Sequence, residues 1–244
     1  MGMHIEHRGG YVNHISLPRE TFFAVTRGNR GEINFHNIDP SFPSRRYHIE
    51  EYLPPLREKE WLDFLDSIPL KKGDWGNYLL GALLRLGKDF SLEKMSGVQG
   101  VIGGDIPQGS GLSSSSTLVV GTLLSITEIA SLPLSRERLT EIAGEAEWFV
   151  GTRGGAGDHG AMLLGKKGKI LHLRFFPLIY EYLDFPENLT ILVAHSGKKA
   201  EKSKGARDIF NERIATYEHG TYLAQKETSL LERQNKMGER CKSP

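Results

Sequence analysis

The sequence has little cysteine, no long apolar run and almost no net charge. Its single cysteine, Cys241, has no second cysteine with which to form an internal disulfide or a thiolate-rich zinc site. No apolar run approaches the roughly 20 residues that cross a bilayer, and the polar start MGMHIEHRGG lacks the apolar core of a signal peptide. A net charge of +1 gives no general attraction to nucleic acid or to anionic membranes. These absences predict a cytoplasmic protein with no nucleic-acid or membrane partner, and they leave its oligomeric state open.

The remaining composition is that of a globular chain that begins with a sheet. Among 244 residues, 39% are hydrophobic and 25% are charged. The runs YVNHISL, TFFAVTRG and EINFHNI are strand-like, and the turn residues Gly28, Asn29 and Gly31 indicate an antiparallel hairpin between the last two. A second hairpin is predicted in AMLLGKKGKILHLRFF, turning at residues 165–168, and TILVAHS is predicted to be a strand.

Helical spacing of apolar residues marks the middle of the chain. EKEWLDFLDSI and NYLLGALLRLG, separated by GDWGN, and the buried-type run LVVGTLLSITEIA are predicted helices. Another helix is predicted to start at a serine cap, Ser135, flanked by Leu134 and Leu139 at the spacing of a hydrophobic staple, and to run to about Trp148. Residues 199–233 are also predicted to be helical. A domain boundary near Pro186 divides the chain into residues 1–185 and 186–244.

The stretch GGDIPQGSGLSSSST, residues 103–117, is rich in glycine and serine and joins the strand-like GVQGVIG to the apolar helix. Glycines let the backbone amides approach a ligand, and serines at a helix start add hydroxyl donors to the positive end of the helix dipole. The pattern therefore favours a phosphate-binding loop. It is neither a Walker A loop nor a Rossmann fingerprint, because no Gly-Lys-Ser/Thr follows and Ser114 stands at the third glycine position. A glycine-serine turn that merely caps a helix is the alternative.

The segment from Pro107 to Ser116, PQGSGLSSSS, resembles the phosphate-binding motif of the GHMP kinases, with Ser116 where alanine is usual. Three other stretches resemble the galactokinase branch in order and spacing: GMHIEHRGG at residues 2–10, WGNY at residues 75–78, and residues 149–158. The resemblance covers about residues 2–217. It implies an α+β GHMP kinase fold, with an N-terminal domain like the second domain of ribosomal protein S5 and a partial C-terminal α/β domain.

The resemblance also implies ATP and Mg²⁺ as cofactors. The residues that would contact ATP are Pro107, Gly109, Ser110, Gly111, Leu112, Ser113, Ser114, Ser115, Ser116, Trp75 and Tyr78. By resemblance Ser115 reaches Mg²⁺ together with a glutamate on the following helix, where Glu145 and Glu147 are the candidates. Glu147 is favoured because it follows Ala143 and Leu139 on the apolar face, and an ordinary helix-end acid is the alternative.

Asp158 lies in GGAGDHG, where neighbouring glycines would let a carboxylate approach a substrate closely. By resemblance it is the catalytic aspartate, which orients the sugar hydroxyl and accepts its proton. Without the family, an aspartate among glycines is usually a turn residue. His159 replaces the glutamine that commonly follows this aspartate in galactokinases, and the sequence assigns it no role.

The resemblance places the sugar against His4, Glu6, Arg8, Gly10 and Asp158. Met3 occupies the position of the acid that grips the primary alcohol of galactose, so a uronic acid fits better, and HIEHRGG resembles galacturonate kinases. Arg8 would then meet the substrate carboxylate, although an exposed loop arginine is an equal alternative. A metal site formed by His4, His7 and His14 is the least favoured hypothesis, because no matching set of cysteines or carboxylates stands at ligand spacing.

Two features of galactokinases have no counterpart in the sequence. They are a strand with an arginine that would precede Met1, and a glycine-rich motif of the second domain. We therefore expect only part of a kinase. The predicted function is ATP- and Mg²⁺-dependent phosphorylation of a small-molecule sugar such as galactose or galacturonate, at the anomeric hydroxyl. The alternatives are a non-catalytic sugar or nucleotide sensor, an inactive truncated homologue, and a GHMP kinase for an amino-acid or isoprenoid alcohol.

Overall fold

The computed structural model describes residues 10–91, 94–194, 196–197 and 204–240. It divides into two compact units, residues 1–201 and 202–244. The predicted boundary near Pro186 remains a prediction. Within the described residues the strands and helices are, in chain order, β1 (Tyr11–His14), β2 (Thr21–Gly28), β3 (Glu32–Asn37), β4 (Arg45–His48), α1 (Pro55–Glu58), α2 (Trp61–Ser67), α3 (Gly76–Asp89), β5 (Gly97–Gly104), α4 (Ser114–Ala130), α5 (Arg136–Glu147), α6 (Gly157–Leu164), β6 (Lys169–Arg174), β7 (Ile179–Asp184) and α7 (Lys204–Arg240).

Two sheets organise the first unit. The four-stranded sheet has the order β2-β5-β3-β4, in which β5 is antiparallel to β2 and parallel to β3. The smaller sheet has the antiparallel order β1-β6-β7. The mixture of sheets and helices is the α+β class that the sequence predicts.

The hairpin predicted between β2 and β3 is wrong. The turn at residues 29–31 is present, but β5 lies between the two strands and pairs with both of them. Strand β5 can enter there because its glycines admit close neighbours: Gly100 lies directly against the backbone of Ala24 and Val25.

Two further local predictions are wrong. The run AMLL belongs to α6, so that only β6 follows the turn at residues 165–168. Residues 190–194 of the predicted strand TILVAHS form no strand, and Leu192 is 90% exposed. An apolar run becomes a strand only when a partner edge is available, which local pattern cannot decide.

The predicted central helices are confirmed, and they form the core. Ser135 caps α5 by accepting a hydrogen bond from the Arg138 amide at 3.2 Å. Helix α3 contacts α4 and α5, and α4 contacts β2 and β5. The side chains buried almost completely between these elements include Ile33, Phe35, Leu79, Leu83, Val98, Ile102, Val119, Leu123, Ile142 and Ala143. The core therefore fixes the ends of α3, α4 and α5 relative to one another.

An ion pair sets the start of α3. Asp74 accepts hydrogen bonds from the Gly76 amide at 2.9 Å and from Arg45 Nε at 2.7 Å and Nη2 at 2.8 Å. Burial alone would raise the pKa of Asp74, but the guanidinium and the amide outweigh burial and lower the pKa. Strand β4 thus anchors the helix turn that carries Tyr78.

Beside this pair, burial and the negative charge of Asp74 raise the pKa of Tyr47 to about 12. An unfolded tyrosine ionises near pH 10. The contribution of the neutral Tyr47 phenol to the free energy of unfolding is therefore fully present below about pH 10 and lost as the pH rises to about 12. We expect Tyr47→Phe to flatten this alkaline loss of stability, measured by urea unfolding across that range. Tyr222→Phe, at a 60% exposed position on α7, is the control, and equal slopes in all three proteins would contradict the expectation.

Helix α7 spans 37 residues of the second unit, which confirms the predicted helix over residues 204–233, while residues 199–203 of the prediction lie outside the described residues. Within the described residues, no helix combines the length and the apolar character that a bilayer crossing requires.

Candidate active site

The predicted phosphate loop connects the end of β5 to the first turn of α4. Gly109, Gly111 and Ser113 adopt left-handed backbone conformations, with φ of 65°, 79° and 56°. Glycine is needed at 111 for this φ rather than for space, since a Cβ there would meet none of the described atoms within 4 Å. The turn is closed by Ser110, whose hydroxyl donates to the Pro107 carbonyl at 2.7 Å.

The start of α4 lacks a side-chain cap among the described residues. Ser113 occupies the cap position, but its hydroxyl donates to Asp158 Oδ2 at 2.5 Å instead of accepting from the helix. The amides of the first turn therefore donate no hydrogen bond to the side chain of Ser113, the residue that would ordinarily cap them. Such an N-terminus suits an anionic group such as a phosphate.

Asp158 lies in the first turn of α6, where the helix dipole stabilises its negative charge. Its side chain is exposed and borders a cavity of about 460 Å³ that also includes Gly111, Ser113 and Thr21. The structure thus brings the predicted catalytic carboxylate and the predicted phosphate loop to one cavity.

A second group of side chains lies around the end of α5. We call Tyr78, Ser115, Ser116, Glu147 and His159 the Glu147 cluster. Ser116 Oγ donates to Glu147 Oε2 at 2.7 Å, and His159 Nε2 lies 2.9 Å from the same oxygen. Tyr78 and Ser115 share a side-chain hydrogen bond. Burial, and then the negative charge of Glu147, raise the pKa of Tyr78.

The other acid of this helix end, Glu145, faces elsewhere. Its Oε2 accepts a hydrogen bond from Arg85 Nε at 2.6 Å, and Arg85 is itself 6% exposed. Glu147, rather than Glu145, lies next to the serines of the loop. Its role as a Mg²⁺ ligand with Ser115 stays a prediction.

Trp75 is buried at the start of α3. Its indole packs edge-on against Phe42 and donates to the Pro43 carbonyl at 3.0 Å. In this structure it is a core residue, and its predicted contact with the nucleotide stays a prediction. Of the predicted sugar-binding residues, Gly10 immediately precedes β1, while His4, Glu6 and Arg8 lie outside the described residues.

The candidate site lies in a part of the chain that matches a known protein family. Residues 77–166 match the family model for the GHMP kinases N terminal domain. By this match, residues 77–166 form a GHMP kinase N-terminal domain. The matched segment begins just before Tyr78 and ends after α6, so it contains the loop, the Glu147 cluster and Asp158.

Galactokinases are among the curated relatives of the chain. The chain is 36% identical to that of Thermococcus kodakarensis over 208 residues, which is 84% of this chain and 53% of the relative. It is 34% identical to that of Pyrococcus furiosus over 166 residues, which is 68% of this chain and 46% of the relative. The chain therefore spans about half the length of the curated relatives it matches.

Solved structures agree on the fold. Lactococcus lactis galactokinase complexed with galactose superposes with a TM-score of 0.69 at 21% identity, covering 93% of this chain and 54% of that one. A mevalonate kinase gives a TM-score of 0.53 at 17% identity, covering 76% of this chain and 52% of that one. These likenesses confirm the predicted GHMP kinase fold.

The donor set of the Glu147 cluster fits Mg²⁺ bound with a nucleotide. Within the described ranges no group of three or more histidine, cysteine, aspartate or glutamate residues is arranged to hold a metal ion alone. Mg²⁺ usually takes one or two carboxylates, and nucleotide phosphates and water supply the other ligands. The Glu147 carboxylate and the Ser115 hydroxyl, beside the predicted phosphate loop, match that requirement.

Sequence reasoning missed His14, which it considered only as part of a histidine metal site. His14 ends β1 and lines the cavity with Asp158. Burial lowers its pKa, and the nearby Asp158 partly opposes this. Its Nε2 is buried and has no hydrogen-bond partner among the described residues. The only signal in the sequence is its place at the end of the strand that follows the sugar-binding signature.

Proposed function

We propose that this protein transfers the γ-phosphoryl group of ATP to a hydroxyl of a monosaccharide, with Mg²⁺ as cofactor. The observation that carries the proposal is the contact between Ser113, at the start of α4, and Asp158 at the edge of the cavity. It places a loop suited to phosphate within hydrogen-bonding distance of a carboxylate suited to accept a proton. Galactokinase relatives at 34–36% identity support the reaction class.

The chemistry follows from the positions of these groups. The loop amides between Gly109 and Ser116 would hold the triphosphate at the positive end of α4. Glu147 and a serine hydroxyl would hold Mg²⁺, which would supply positive charge against the phosphates. Asp158 orients the acceptor hydroxyl and takes its proton as the new oxygen–phosphorus bond forms. The bond from the γ-phosphorus to its bridging oxygen breaks, and ADP leaves with that electron pair.

For the substrate we propose a hexose uronic acid, phosphorylated at the anomeric hydroxyl. Met3 offers a primary alcohol only a weak thioether acceptor, and Arg8 offers a partner for a carboxylate. In the cavity, His14 adds an imidazole near Asp158 that suits a ring hydroxyl. The Lactococcus lactis structure shows that a protein of this fold holds galactose, and galactose is the second candidate.

The test is ADP release from ATP and Mg²⁺ in the presence of single acceptors: galacturonate, galactose, glucose, homoserine and mevalonate. We expect ADP with a sugar and equal amounts of sugar phosphate, with galacturonate ahead of galactose. Turnover of homoserine or mevalonate with no sugar used would overturn the proposal. Sugar and nucleotide binding in a thermal-shift assay without ADP release would support a sensor instead.

A further inference from the structure

The carboxylate of Glu147 is approached on one oxygen by two side chains from different helices. Ser116, in the first turn of α4, donates to Oε2 at 2.7 Å. His159, in α6, brings Nε2 to 2.9 Å from the same Oε2. Three helices therefore meet at a single oxygen atom.

This meeting point is nearly closed to solvent. Ser116 is 3% exposed and His159 is 2% exposed, while the Glu147 side chain is 16% exposed. Where water is scarce, contacts to a carboxylate become stronger, and the loss of one costs more. The hydrogen bond from Ser116 and the close packing of the His159 ring therefore restrict the rotation of the carboxylate more than they would on the surface.

The imidazole of His159 is close to the carboxylate but not in line with it. Neither ring nitrogen makes a hydrogen bond of acceptable angle within the described part of the chain, although the distance from Nε2 to Oε2 is that of one. A buried polar group left in this state requires an explanation. We explain it by the place of the ring, which stands beside Glu147 and limits where its carboxylate can lie.

The contacts on Glu147 differ in kind from the contact on Glu145. Glu145 is held by the guanidinium of Arg85, which matches its charge. The contacts on Glu147 Oε2 come from a hydroxyl and an imidazole, which orient a carboxylate without needing a positive charge of their own. The negative charge of Glu147 also contributes to the raised pKa of Tyr78. These contacts suit an acid that is kept in place for a cation.

We propose that Ser116 and His159 are positioning residues that jointly hold the Glu147 carboxylate for the cation accompanying the nucleotide. The inference rests on the proposed function. Because His159 directly follows Asp158 in α6, its contact with Glu147 also sets the position of that helix turn. The contact between His159 and Glu147 therefore links the metal-binding part of the site to Asp158, which accepts the proton.

The experiment uses the whole chain with Mn²⁺ as the probe and a non-hydrolysable ATP analogue. The variants are Ser116→Ala, His159→Leu, their combination, and His159→Gln, which keeps a side-chain donor. Ser125→Ala is the matched control, because Ser125 is also buried in α4 but its hydroxyl donates to the Gly121 carbonyl at 2.7 Å. The readouts are Mn²⁺ affinity by electron paramagnetic resonance, nucleotide affinity in EDTA, and melting temperature.

We expect Ser116→Ala and His159→Leu each to weaken Mn²⁺ binding by about tenfold to a hundredfold. Nucleotide affinity in EDTA should stay close to that of the wild type. The combined variant should lose less than the product of the single losses, since both contacts act on one oxygen. His159→Gln should keep most of the Mn²⁺ affinity, and Ser125→Ala should keep all of it.

In this experiment the positioning role can fail while the kinase proposal stands. If the wild type binds the Mn²⁺–nucleotide complex and the first two variants bind it equally well, the positioning role is overturned and the kinase proposal stands. The positioning role is also overturned if affinity falls only in proportion to the melting temperature, in Ser125→Ala as in the others. A wild-type protein that binds no nucleotide would overturn both.

Discussion

Asp158→Asn is expected to lower the rate of phosphoryl transfer by about 10²- to 10⁴-fold, the usual contribution of a positioned general base. An amide has nearly the shape of a carboxylate but cannot take the proton of the acceptor hydroxyl. Its oxygen can still accept the hydrogen bond that Ser113 donates to Asp158 at 2.5 Å. The loop should therefore keep its form, and ATP affinity should stay near the wild-type value while ADP release in the sugar assay falls.

The matched control is Asp66→Asn, at a carboxylate on α2 that is 78% exposed and lies outside the site. It should leave both ATP affinity and turnover unchanged. Equal turnover in Asp158→Asn and the wild type would show that Asp158 has no essential part in the reaction. A loss of ATP affinity as large as the loss of turnover would assign Asp158 to nucleotide binding instead.

Gly97→Ala is expected to have the largest effect on folding. Gly97 begins β5, and a Cβ there would overlap the Asn29 carbonyl and crowd that of Glu32. Both obstacles are backbone atoms of neighbouring segments, so neither can rotate away. We expect the free energy of unfolding to fall by about 3 kcal/mol or more, the upper part of the range for overpacking. Urea unfolding followed by circular dichroism would measure it.

Gly154→Ala makes the same chemical change where there is room. No described atom lies within 4 Å of a Cβ at that position, and the backbone φ is not in the left-handed region. Alanine there should raise the free energy of unfolding by about 0.4–1 kcal/mol, because it restricts the unfolded chain. If both variants had similar stability, the close fit of β5 against the turn at residues 29–31 would not be important for the free energy of unfolding.

Features determined by short-range chemistry were predictable from the sequence. The cap at Ser135 and the core helix α3 depend on spacing within a few residues, and the structure has both. The loop between β5 and α4 was predictable in the same way, since its glycines, serines and flanking apolar runs are all local.

Pairings between distant segments were not predictable in this way. The turn at residues 29–31 is compatible with a hairpin, yet β5, some 65 residues further on, lies between the two strands. The run AMLL has the composition of a strand, but it lies in α6, whose packing against α4 and β1 joins distant segments of the chain. The exposed run at residues 190–194 shows the converse, a strand-like pattern with no partner among the described residues.

The same distinction between local and long-range effects applies to the candidate site. The sequence by itself determined that a loop rich in glycine and serine precedes a buried helix and that Asp158 lies among glycines, since local composition sets backbone freedom and helix starts. Helical spacing favoured Glu147 over Glu145, but only the tertiary structure decided that Ser113 contacts Asp158 and that Ser116 and His159 both meet Glu147. Those contacts join helices α4, α5 and α6, and their geometry is fixed by core packing that no single segment contains.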